Sequence, residues 1–140
     1  MLNADIKRGG CACGQLRFEI KGVSIGAAAC HCSACQKRTG SAFGVGCFFK
    51  LDSMEIIAGE YACYERIADS NRSVTYRFCP QCGSSVMWLS EAMPSGIGIA
   101  GGSFDDRSWI QPSKHAWTKE AQGWFSFTDG IETLEKATSE

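Results

Sequence analysis

The sequence predicts a mainly β fold with one short helix near its middle. Segments that alternate apolar and polar residues recur along the chain, each long enough for a strand and too short for a helix. One helix signature stands out. Ser33 and Gln36 have the form of a capping box, and Gly40 suits the helix end. No repeat, linker or break in composition interrupts the 140 residues, so residues 1–140 read as a single domain.

After a polar lead-in, Gly9-Gly10-Cys11-Ala12-Cys13-Gly14 forms a tight, glycine-flanked turn. Residues 15–21 then alternate as a strand, with Leu16, Phe18 and Ile20 turned to the core. Residues 22–29 lead into Cys30-His31-Cys32-Ser33-Ala34-Cys35. Extended backbone there would put Cys30 and Cys32 on one face and His31 on the other. Cys35 falls in the first turn of the helix, where the dipole favours a thiolate, and Lys37 and Arg38 complement its other end.

Residues 43–50 read as a buried strand with Cys47 in the core. Residues 54–58 and 61–67 read as two more strands, joined through Gly59-Glu60, with Cys63 expected to pack inside. A strand at 73–78 delivers Cys79-Pro80-Gln81-Cys82-Gly83, which has the form of a zinc knuckle with left-handed backbone at Gly83. Strands follow at 85–89 and 97–102, and the glycines of the second suggest close backbone approach or a bulge. In the aromatic tail, Trp117 and Trp124 are expected to close a lid over the sheet. From Glu132 the chain is polar and is expected to fray or form a short helix.

Hydrophobic residues make up 44% and charged residues 21%, and the formal net charge is −1. That balance provides no field to draw nucleic acid or a membrane surface. Charges at Asp5, Lys7, Arg8, Arg17 and Glu19 break up any apolar signal segment, and no stretch approaches the length that spans a bilayer. The expected location is cytoplasmic.

In a reducing compartment, short cysteine spacings argue for metal rather than disulfides. Seven of the nine cysteines are so spaced. They exceed what one tetrahedral zinc takes, so four serve one ion and three a second. Cys11, Cys13, Cys79 and Cys82 would tie the chain's start to its middle through a structural zinc, whose binding energy becomes folding energy. Cys30, Cys32 and Cys35 form a local trio with room for an exogenous fourth ligand. An alternative partition places Cys30, Cys32, Cys79 and Cys82 around one ion and strands Cys11 and Cys13. In another, both clusters are purely structural, with Cys47 or Cys63 as the missing ligand. Thiol redox chemistry at Cys79-Pro80-Gln81-Cys82 lacks the βαβ context it requires.

Three motifs together carry a resemblance: Gly-x-Cys-x-Cys-Gly at 9–14, Cys-His-Cys-x-x-Cys at 30–35 and Phe-Cys-x-x-Cys-Gly at 78–83. With Gly-Ser-Phe-Asp-Asp at 102–106 and Pro112, His115, Trp117 and Trp124, they resemble the glutathione-dependent formaldehyde-activating enzyme family, also called the centromere protein V-like domain. The resemblance implies an Mss4-like β-tent of short antiparallel strands, stapled by zinc. It assigns Cys11, Cys13, Cys79 and Cys82 to the structural ion and Cys30, Cys32 and Cys35 to a second, more labile one. It implies a carbon–sulfur lyase reaction between glutathione and formaldehyde.

On this reading the trio is catalytic: a substrate thiol is held deprotonated at its zinc and attacks a small aldehyde. Lys37, Arg38 and Arg77 are candidates to offset the negative charge of three thiolates on Zn²⁺. His115 is expected either to donate a proton or to hydrogen-bond within the aromatic tail. The rival reading is a non-catalytic, zinc-stabilised binding module. Against a nucleic-acid partner stand the net charge and the absence of a basic run.

Overall fold

The computed structural model describes residues 6–137. Eleven strands and one α-helix follow in the order β1 (Ile6–Gly10), β2 (Arg17–Lys21), β3 (Gly26–Cys30), α1 (Ser33–Thr39), β4 (Gly44–Lys50), β5 (Met54–Ala58), β6 (Ala62–Ile67), β7 (Ser73–Phe78), β8 (Ser85–Ser90), β9 (Gly96–Ala100), β10 (Lys114–Ala116) and β11 (Glu132–Thr133). They build a three-stranded sheet, β1-β2-β5, and an eight-stranded sheet, β11-β10-β3-β4-β9-β8-β7-β6. The pairings are antiparallel except at β10, which runs parallel to both β3 and β11. The protein is thus mainly β with one α-helix, as its sequence predicts.

The alternation in β2 does what its period requires. Leu16, Phe18 and Ile20 are fully buried, and they join one core cluster with Phe49, Val86, Met87, Ile97, Ile99 and Phe104. Phe18 and Phe104 meet edge to face, 5.4 Å between ring centroids. Cys47 is fully buried in this core from β4. The glycines of β9 serve close approach. A Cβ on Gly98 would lie 2.3 Å from Trp88 Cε2, so the indole of β8 lies flat on bare backbone. The strand ends at Ala100, short of 102, and passes into a 3₁₀ turn at Gly101–Ser103.

Several expectations are corrected. The polar lead-in contains a strand: β1 pairs with β2 along its whole length, and its charged side chains suit a sheet edge. Cys63 does not pack inside, because β6 is the outer strand of its sheet and Cys63 faces solvent. Trp124 is 71% exposed and closes no lid; Phe125 and Phe127 turn inward in its place. The segment at Glu132 is a two-residue strand on β10 rather than a helix, and residues 138–140 lie outside the described part. The helix starts as expected, but its cap is Cys32, whose Sγ accepts from the Cys35 N–H at 3.3 Å, and not Ser33. Gly40 ends it in the left-handed conformation.

Candidate metal centres

The turns after β1 and β7 are built alike. In the first, Cys11 N–H donates to Leu16 O at 3.1 Å, and Leu16 N–H returns to Cys11 Sγ at 3.3 Å. In the second, Cys79 N–H donates to Ser84 O at 2.9 Å, while the N–H groups of Gln81 and Cys82 reach Cys79 Sγ at 3.3 and 3.4 Å. Gly14 and Gly83 both carry positive φ, 85° and 81°, so both loops turn through a conformation that favours glycine. The Ala12 N–H donates to Ser84 Oγ at 3.0 Å and pins one turn against the other.

The consequence is a four-sulfur group. The Sγ atoms of Cys11, Cys13, Cys79 and Cys82 all lie within 4.8 Å of one another, and Cys13 Sγ stands 3.6 Å from Cys11 Sγ and 3.7 Å from Cys79 Sγ. Every cysteine among the described residues is a free thiol. The donors around Cys79 and Cys82 fit thiolates. The Ser84 hydroxyl and backbone bring the Cys82 thiol down to about 5. Burial pushes Cys79 up, but the Cys82 N–H, the Gln15 amide and the Gln81 N–H outweigh it and leave it lowered. A soft set of four sulfurs, solvated by N–H groups, matches zinc. The group could hold a metal ion, and the partition joining Cys30 and Cys32 to Cys79 and Cys82 does not occur.

Cys30, Cys32 and Cys35 form the second group, their sulfurs again within 4.8 Å of one another. Hydrogen bonds from the Cys30 and Cys32 thiols, followed by the charge of Arg38, hold Cys35 far below the ordinary thiol range. The Cys30 thiol is pushed up in turn, by its bonds to the other two and by burial. Neither Cys47, buried in the core, nor Cys63, out on β6, belongs to the group.

His31 points away from the trio, as extended backbone at Cys32 requires. It is fully buried, and its Nε2 lies 2.8 Å from His115 Nδ1. Phe43, Phe125 and Phe127 pack around the two imidazoles, with centroids 5.0–5.3 Å from His31. Burial lowers both histidines below the usual imidazole range, so the pair is neutral and one ring donates to the other. His115 thus hydrogen-bonds within the aromatic cluster.

The trio is local in sequence but not in structure, because residues 115–122 strap its loop down. His31 N–H donates to Ala116 O at 3.0 Å, and Ser33 N–H to Glu120 Oε1 at 2.7 Å. Gln36 Nε2 reaches His31 O at 2.8 Å and Glu120 O at 2.9 Å, and Gln122 Nε2 bonds Gln36 Oε1 at 3.0 Å. No spacing in the sequence announces this strap.

Of the candidate cations, Arg38 alone stands beside the trio. Its guanidinium lies over Trp88 at 4.9 Å and Tyr76 at 5.4 Å, against Cys35. Lys37 is exposed on the helix, and Arg77 lies over Tyr61 at 4.7 Å. Arg66, unmarked in the sequence, is close enough to feel the charges of Cys32 and Cys35, and Tyr76 Oη accepts from its Nε at 3.0 Å. A cavity of about 570 Å³ opens beside Cys32, lined also by Arg66, Trp117, Lys119 and Glu120. No helix among the described residues is long and apolar enough to cross a membrane.

The architecture is similar to the crystal structure of a Rhodobacter sphaeroides protein, a Northeast Structural Genomics target, with a TM-score of 0.58. The match covers 75% of this chain and 91% of that one at 19% identity, a likeness of fold. The family model described as glutathione-dependent formaldehyde-activating enzyme matches residues 6–120, a span that takes in both sulfur groups, His31, His115 and the strap as far as Glu120. The chain belongs to the glutathione-dependent formaldehyde-activating enzyme family.

Proposed function

We propose that this protein is an enzyme of the carbon–sulfur lyase type that joins a small thiol, glutathione or a relative, to a small aldehyde such as formaldehyde. One observation carries the reading: three cysteine sulfurs converge with no fourth His, Cys, Asp or Glu among the described residues in their group, whereas the other group has four. Cys11, Cys13, Cys79 and Cys82 would hold a structural zinc, and Cys30, Cys32 and Cys35 a second, more labile one with a position left for substrate. When bound there, zinc supplies the Lewis acidity that keeps a sulfur ligand deprotonated at neutral pH.

The chain's own residues supply the rest. Arg38, fixed over two aromatic rings, offsets negative charge at Cys35. Arg66 and Lys119 place positive charge on the walls of the cavity beside Cys32, and Trp117 gives it an apolar side. A volume of about 570 Å³ suits a small ligand rather than a macromolecule. The strap keeps Cys30, Cys32 and Cys35 at fixed mutual positions, the preorganisation that a positioned nucleophile needs.

The test is exchange between formaldehyde and glutathione, followed by NMR with the zinc-loaded protein, with Cys32→Ser and with no protein. A faster exchange that Cys32→Ser abolishes is the expected result; no acceleration at stoichiometric zinc removes the reaction. A second reading, a non-catalytic binding module, is favoured by the outer strand β6, where Tyr64 and Ile67 are 61% and 59% exposed. It gains if the loaded protein leaves the exchange rate unchanged.

A further inference from the structure

Among the described residues the eight-stranded sheet has two edges, and one is blunted: β11 is only two residues long. The other is not. Strand β6 pairs with β7 over all six of its residues without a shift in register, and among the described residues no strand lies on its far side. Such an edge presents a row of N–H and C=O groups that another strand can complete. Residues 61–67 hold no proline, lysine or bulge to deter one. Tyr61, Cys63, Tyr64, Glu65 and Ile67 are all exposed.

Register decides what completes it. Two identical strands meet antiparallel about a two-fold axis normal to the sheet, and facing residues share a face, so the axis passes through one residue that faces its own copy. An axis at Glu65 sets two carboxylates face to face, and one at Arg66 two guanidiniums. An axis at Cys63 sets Tyr61 against Glu65 and leaves Ile67 opposite Gly59, outside the strand. An axis at Tyr64 uses the whole strand: Tyr64 faces Tyr64 of the second copy, Tyr61 faces Ile67, Cys63 faces Glu65 and Ala62 faces Arg66.

The neighbouring strand favours that last register on both faces. On one, Trp88, Tyr76 and Tyr64 form a row across β8, β7 and β6, and Tyr64 of the second copy continues it. On the other, Arg77 stands beside Cys63, so Glu65 of the second copy comes into line with Arg77 across a small side chain. Among the described residues neither Glu65 nor Arg77 forms an ion pair; Arg77 lies over Tyr61 instead. The two-fold axis supplies this charge match twice.

We propose that β6 is the interface of a symmetric homodimer, in which two eight-stranded sheets join edge to edge about Tyr64. The inference stands whichever reaction the trio performs. Edge pairing leaves both faces of the strand open, so the Cys63 thiol stays within reach of reagents.

The test is sedimentation velocity of the zinc-loaded full chain over a range of concentrations, for wild type, Tyr64→Lys and Glu65→Arg. A reversible dimer is expected. Tyr64→Lys sets two ammonium groups together at the axis, and Glu65→Arg brings a second arginine into line with Arg77. Each should weaken dimerisation about tenfold or more. Both side chains are exposed, and circular dichroism checks that each variant folds; if one does not, the other carries the comparison. Location is read with a bismaleimide, because this register sets Cys63 and its copy at diagonal positions about 7–8 Å apart. A covalent dimer should form in wild type and not in Cys63→Ser. The proposal is overturned by a protein still monomeric at about 1 mM, by a dimer that neither folded variant weakens, or by no cross-link through Cys63.

Discussion

Replacing His115 with phenylalanine should loosen zinc loaded at the trio and leave zinc loaded at the four-sulfur group untouched. Among the described residues His31 Nδ1 already has no hydrogen-bond partner, and the 2.8 Å contact with His115 is the one bond its ring makes. His115→Phe keeps an aromatic ring among Phe43, Phe125 and Phe127 but deletes that bond. A fully buried nitrogen left unpaired costs about 1–3 kcal/mol. Phe43, Phe125 and Phe127 crowd the His31 ring, so a shift that relieves the penalty pulls on its backbone and on Cys30 and Cys32 at either side. Felt wholly at the trio, that cost weakens its zinc by about 5- to 150-fold. The assay is zinc transfer to a chromophoric chelator, which should show a fast phase from the trio and a slow one from the four-sulfur group. His115→Phe should accelerate the fast phase alone, and His115→Gln, which restores a polar group, should recover part of the loss. A fast phase unchanged from the wild type, or both phases accelerated together, would refute the reasoning.

Cys79→Ser removes a fully buried sulfur of the group that joins the two turns, and it should abolish the cooperative thermal transition and the slow phase of zinc release together, as read by circular dichroism and metal content. Gly98→Ala drives a methyl into Trp88 and should lower stability by about 1–3 kcal/mol in urea denaturation, with the metal content unchanged. Burial pushes the Cys47 thiol up to about 11 from an ordinary value of 9.0. Its neutral form is favoured in the fold, so this contribution is complete below pH 9 and lost as pH rises through about 11. Wild type should therefore lose more stability than Cys47→Ala across that window; parallel pH curves would contradict it. In native protein at neutral pH, mass spectrometry after iodoacetamide should find exposed Cys63 alkylated and Cys47 intact.

What could be read from sequence was whatever repeats at a fixed spacing. Strand β2 was legible because its apolar residues come at every second position, and the two turns because Cys-x-Cys-Gly and Cys-x-x-Cys-Gly place both sulfurs and the left-handed glycine. The separation of His31 from its flanking cysteines followed from pleat geometry alone. The strap was hidden for the opposite reason. Its bonds run from backbone groups at Ala116 and Glu120 and from side chains at Glu120 and Gln122, residues that in sequence look like any polar loop. Strand β1 was masked by the charges that an edge tolerates, and Cys63 was misplaced because alternation does not reveal which strand ends a sheet. Arg38 looked like a helix-end charge until Trp88, fifty residues later, came to lie against it.

The strap also orders events in time. During synthesis the clasp joining the first turn to Cys79 and Cys82 has all its parts once residue 82 has left the ribosome. The thiols of the trio emerge far earlier, yet the segment that steadies them, 115–127, follows residue 82 by more than thirty positions. A nascent chain can therefore lock its early strands in place while its other sulfurs are still loosely held. The trio is braced only once residues 115–127 have joined it.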